Sequence, residues 1–130
     1  MAMRNSTQVG HGLTLNAKAR AEFAPAMKLR RLVKALGLNA TARLLRVDPG
    51  QLSRCASGKE AIGQALSTRI IDLEYVIDRA LKVMWPDEVG PWFTSSEPLL
   101  GGSTPLNVLL LSGPGRVVQA LDARSAGAFA

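Results

Sequence analysis

Between Ala42 and Glu60 the chain reads ARLLRVDPGQLSRCASGKE, and the Asp48-Pro49 step in its middle makes one helix end and another begin. Aspartate is a strong N-cap, and proline favours the first helical position, where its missing N–H leaves no bond unmade. The spacing predicts a helix from Ala40 to Val47, entered through Asn39 as N-cap, and a second over PGQLSRCAS that stops at Gly58. Two such short helices, tightly joined, with the second one polar, are what a helix-turn-helix requires. The first helix braces the second, and the second lays polar side chains on base edges in the major groove. Ala42, Leu45, Val47 and Leu52 are expected to face inward. Gln51, Ser53 and Arg54 are then left outward. Glutamine can pair with adenine and arginine with guanine, each through two hydrogen bonds, and serine suits phosphate or base. Arg43, Arg46 and Lys59 are expected on phosphates, where contacts position a protein without reading sequence. Gly50 sits inside the recognition helix, at a cost of about 1 kcal/mol of helix stability.

The rest of the chain also reads as helix. Met27, Leu29, Leu32, Val33 and Leu36 recur at helical spacing within Phe23–Leu36, and Gly37 ends that helix. Ser67 is a candidate cap for a long helix over TRIIDLEYVIDRALKVM, with Pro86 as its terminator. A loop follows, or contains, a short helix. Thr104 caps and Pro105 opens PLNVLLLS, Gly113 closes it, and GRVVQALDARSAGAFA ends the chain. The expectation is an all-α fold of four to six helices: a helix-turn-helix bundle over 23–66 and a small helical domain over 67–130. Residues 1–22 are expected as a flexible arm.

Charge divides along the same line. Residues 1–60 hold 11 Lys/Arg and 3 Asp/Glu, a net of +8, whereas residues 61–130 hold 5 and 7, a net of −2. A basic module beside a neutral, apolar one implies a polyanionic partner for the first and a different partner for the second. No apolar run reaches the roughly 18 residues a membrane span needs, and no signal peptide is read at the N-terminus. With Cys55 as the sole cysteine there is no intrachain disulfide, which fits a reducing, cytoplasmic setting.

The stretch A-R-L-L-R-V followed by L-S-R-C-A-S-G resembles the helix-turn-helix of Xre-type, phage-repressor-like regulators, with Cys55 at a place often taken by tryptophan. Downstream, Trp92, Leu100, Gly102, Pro105, Leu106, Leu111, Gly115, Val118, Leu121 and Gly127 follow the pattern of the toxin-binding domain of the Xre/MbcA/ParS antitoxin family. Together the two resemblances cover about residues 30–130. They imply an antitoxin of a type II toxin–antitoxin system whose partner is a RES-domain toxin acting on NAD. They imply operator DNA as a second partner and a homodimer placing two helix-turn-helix units over an inverted repeat. Toxin-binding candidates on this resemblance are Trp92, Leu100, Gly102, Pro105, Arg116, Arg124, Gly127 and Phe129. The small, apolar SAGAFA end suits insertion into a cleft, with Phe129 as anchor. A frayed terminus, or a helix end packed on its own core, is the alternative, and Trp92 and Phe93 suit core as well as interface. The other functional reading is a plain helix-turn-helix repressor whose C-terminal half only dimerises.

Catalysis is not expected, nor is a cofactor or a metal. His11 is the only histidine, so a four-ligand zinc site cannot be assembled with one cysteine. VLLLSGPGRVVQAL imitates a dinucleotide-binding turn, but Val118 stands where the fingerprint wants its third glycine. Glu74 and Asp78 share a helix face, yet with Arg79 and Lys82 beside them they read as a solvated, charge-mixed surface. Cys55 is expected as a small core residue, with redox sensing as the alternative.

Overall fold

A computed structural model describes residues 24–127, and every described element is helical. The order is α1 (Pro25–Leu36), α2 (Leu38–Leu45), α3 (Pro49–Ala56), α4 (Gln64–Ala80), α5 (Pro86–Thr94), a 3-10 turn (Pro98–Leu100), α6 (Pro105–Ser112) and α7 (Gly115–Gly127). That is one α-helix more than the upper end of the sequence expectation. The expected arm, His11 and Phe129 lie outside the described residues.

Prolines punctuate this order. Pro25, Pro49, Pro86, Pro98 and Pro105 each occupy the first residue of an element, where a fixed φ is already helical and no N–H is wanted. Asp48 caps α3 by accepting from the Gln51 N–H at 3.2 Å, and Thr104 caps α6 by accepting from the Asn107 N–H at 3.1 Å. These two caps fall where the sequence places them.

Other boundaries differ. α2 begins directly after Gly37, not at Asn39. Gly37, at φ 87°, ends α1 by donating to the Val33 carbonyl and starts α2 by accepting from Thr41. The Thr41 side chain, fully buried, adds bonds to the Gly37 and Leu32 carbonyls. α2 also stops at Leu45, because Arg46 turns into the left-handed region. α4 starts at Gln64, three residues before Ser67, and Ser67 donates its N–H to Gly63. It stops at Ala80, where Val83 and Met84 both donate to the Ala80 carbonyl and tighten the chain into a turn. Pro86 therefore opens α5 and terminates nothing.

One apolar core runs through the molecule, from Leu29, Leu32, Leu45 and Leu52 through Ile70, Leu73 and Ile77 to Phe93, Val117 and Leu121. α4 is its central strut, and both α1 and α7 pack on it. Lys28 Nζ meets Glu74 Oε2 at 2.9 Å between α1 and α4, and both side chains are largely buried. Glu74 is thus an internal tie and not part of a solvated surface, whereas Asp78 stays exposed with Lys82 at 3.8 Å. Arg79 reaches Asp122 at 3.4 Å and links α4 to α7.

Candidate nucleic-acid interface and C-terminal partner face

The α2–α3 pair is compact because both helices bury the faces their sequences offer. Ala42, Leu44, Leu45, Leu52 and Cys55 are buried and Val47 is half-buried. The α2 end is closed twice: the Arg46 and Val47 N–H groups turn back to the Arg43 and Ala42 carbonyls, and Arg69 of α4 donates to the Leu45 carbonyl at 3.3 Å. A cation on a helix C-terminus satisfies a carbonyl and matches the dipole. Arg30 of α1 similarly donates to Ala56 at the end of α3, at 3.1 Å.

With Leu52 and Cys55 inside, helical geometry puts Gly50, Ser53, Arg54 and Ser57 on one outward stripe, and all four are exposed. Gln51 flanks this stripe and is half-buried. Lys59 follows α3, exposed, its N–H bonded to the Arg54 carbonyl at 2.9 Å. Arg54 Nε donates to Glu60 Oε1 at 3.0 Å. Arg43 and Arg46, also exposed, belong to the far end of α2. Arg43 lines a cleft of about 440 Å³ with Pro86, Asp87 and Gly90 of α5. Arg46 leans on α6, donating from Nη2 to Asn107 Oδ1 at 3.3 Å. Ser53, Arg54 and Lys59 are therefore gathered at one place, with Arg43 and Arg46 at another. The Cys55 thiol is pushed up from its ordinary pKa, mostly by burial and then by the Glu60 carboxylate, against a smaller opposing effect of Arg54. A protonated thiol under α3, with Sγ 3.9 Å from the Ala61 carbonyl, favours packing over redox chemistry.

The C-terminal candidates are organised by a residue the sequence did not single out. Glu97 is 2% exposed, and its Oε1 accepts from Trp92 Nε1 and from Arg124 Nη2, both at 3.2 Å. Its Oε2 lies 3.5 Å from the Leu99 N–H, and its carbonyl accepts from Leu100 and Gly102. Burial by itself would raise the Glu97 pKa. The bonds from Trp92, Arg124 and Leu99, with the Arg124 charge, outweigh it and leave the carboxyl below its ordinary value. Trp92 also sits edge-on to the buried Phe93 at 5.1 Å. Gly102, at φ 88°, makes the turn that brings Ser103 back to Glu97. Leu100 and Pro105 are buried. Trp92, Leu100, Gly102 and Arg124 thus converge on Glu97, with Pro105 buried at the start of α6, while Arg116 and Gly127 are exposed on α7.

Leu99, within the 3-10 turn, is 54% exposed, and other surface apolar groups lie elsewhere. Trp85, 73% exposed, caps the start of α5, its N–H bonded to Glu88 Oε2 at 2.8 Å. Ile71, Tyr75, Pro114 and Val118 line a shallow apolar groove between α4 and α7, and Leu111 is 87% exposed. Among the described residues no cluster of three or more His, Cys, Asp or Glu side chains could hold a metal ion, and no helix is long and apolar enough to cross a membrane.

No family model and no curated protein matches the chain. One solved structure is similar: a chain of the crystal structure of the M. tuberculosis MbcT-MbcA toxin-antitoxin complex, 24% identical, over 82% of this chain and 98% of that one. The TM-score is 0.67, so the all-helical fold described above is shared with a chain of a toxin–antitoxin complex.

Proposed function

We propose that this chain is the antitoxin of a type II toxin–antitoxin pair. The observation that carries the reading is the shared fold over nearly the whole of a chain from such a complex. The sequence resemblance to Xre/MbcA/ParS antitoxins points independently to the same role and adds a RES-domain, NAD-degrading toxin as partner. On this reading the α6–α7 half binds the toxin. Arg116, Gly127 and Phe129 are its contacts, and the residues converging on Glu97 (Trp92, Leu100, Gly102 and Arg124), with Pro105 at the start of α6, hold that half in shape. The exposed α3 stripe, with Arg43, Arg46, Gln51 and Lys59, binds operator DNA and represses the operon. The chain acts by binding and uses no cofactor.

The test is a toxicity rescue. The product of the neighbouring gene is induced in cells with and without this chain, and growth and cellular NAD are followed. Growth arrest with NAD loss, both relieved by the chain and accompanied by co-purification of the two proteins, is the expected result. A harmless neighbour, or one that does not bind, moves the weight to a plain repressor that dimerises through its C-terminal half. The apolar groove at Ile71, Tyr75 and Val118 is the observation favouring that second reading.

A further inference from the structure

Arg54 is the cation on the outward stripe of α3, and a carboxylate holds its guanidinium. Its Nε donates to Glu60 Oε1 at 3.0 Å. Glu60 is fixed in turn, because its own N–H donates to the Arg54 carbonyl at 3.2 Å. At the other end, a Cβ placed on Gly50 would lie 3.5 Å from Arg54 Nη1 and 2.9 Å from Asp48 Oδ2. The guanidinium therefore runs back along α3 toward its first turn. In helix-turn-helix complexes, that end of the recognition helix meets base edges. A carboxylate on Nε occupies one edge of the planar fork and leaves the two Nη groups for a bidentate contact with O6 and N7 of a guanine.

We propose that Glu60 is a positioning residue for sequence reading: it aims the Arg54 guanidinium at a guanine. This inference rests on the DNA-binding reading above and adds to it the base and the carboxylate. A competing role for Glu60 is a bare negative charge that repels phosphates. The two roles differ in what they do to discrimination between sequences.

The full chain is used to select duplexes from a randomised pool. Each guanine of the selected site is then replaced in turn by 7-deazaguanine, which lacks the N7 acceptor. The wild-type protein is expected to lose affinity at one guanine per half-site, and Arg54→Ala to be indifferent there. Because the Arg54–Glu60 pair is exposed, Glu60→Ala and Glu60→Ser are expected to reduce the discrimination by roughly two- to fivefold. Glu60→Gln, whose amide oxygen still accepts from Nε, retains it. Circular dichroism melts confirm that the variants are folded. Equal tightening of every duplex by all three Glu60 variants, with discrimination unchanged, overturns the positioning role. A wild-type chain with no preference for any duplex removes the DNA-binding reading and this inference together.

Discussion

At the scale of single residues, Glu97 ties together three separate parts of the C-terminal half. Replacing it with alanine leaves the half-buried Trp92 indole N–H without its partner, whereas the exposed Arg124 guanidinium can turn to water; a hydrogen bond lost in such a place costs about 1–2 kcal/mol. Urea unfolding at pH 7 should show Glu97→Ala destabilised by about 1–2 kcal/mol. Glu97→Gln, which keeps one acceptor oxygen but loses the charge, should fall between. The pH dependence has a definite sign. The folded-state pKa is lowered, so the stabilisation is complete above about pH 4.5 and is lost as pH falls through the folded value. The stability gap between wild type and Glu97→Gln should therefore narrow on acidification below about pH 4.5. A gap that widens in acid would contradict the assignment. No local pattern announces Glu97, because its side-chain partners stand 5 and 27 positions away along the chain. Trp92 is legible as a special position, its indole N–H bonds the buried Glu97, and the more exposed tryptophan is Trp85.

At the scale of the element, short-range signals were read well and competing signals were not. Asp48-Pro49 and Thr104-Pro105 give the helix start in two adjacent residues, and the structure uses both. Asn39 and Ser67 are good capping residues, yet each lies inside a helix, because Gly37 and Gly63 had already turned the chain upstream. Arg46 shows the reverse case. Nothing in ARLLRV forbids helix through Val47, but tertiary contacts with Asn107 and the Asp48 cap hold Arg46 at φ 57°. A non-glycine residue in this region carries roughly 1–2 kcal/mol of strain. Arg46→Gly should therefore stabilise the fold by about 0.5–1 kcal/mol, after loss of one exposed hydrogen bond. On the proposed DNA-binding reading, in which Arg46 meets a phosphate, the same change should also weaken DNA binding and lower its salt dependence. Thermal melts and binding titrations at two salt concentrations read the two effects separately.

At the scale of the whole molecule, the charge split and the core are organised differently. The basic excess belongs to residues 1–60, but the buried apolar residues form one continuous cluster with α4 at its centre. α1 packs on α4, and the Lys28–Glu74 pair joins the same two helices. A fragment ending at residue 66 lacks this strut and is expected to remain unfolded by circular dichroism. The full chain is expected to unfold in a single transition seen identically by far-ultraviolet circular dichroism and tryptophan fluorescence. Two separated transitions would show that the halves fold independently. The all-helical class was legible from periodicity; the sharing of one core was not, since residues from both halves carry similar apolar spacing and periodicity does not say which faces meet.

The prolines at the starts of five elements set more than boundaries. A helix turns by about 100° per residue, so the position of its first residue decides which face reaches the interior. Deleting one residue between Pro49 and Leu52 would rotate the remainder of α3 by that angle and carry Leu52 and Cys55 off the core. A deletion in residues 61–63, past the bonds from Lys59 and Glu60 that close α3, changes a connection and leaves the phase of both helices intact. Variation in length along this chain is thus tolerable between elements and ruinous just after a proline, so descendants of this sequence are expected to differ in their spacers and to keep their proline-to-leucine intervals.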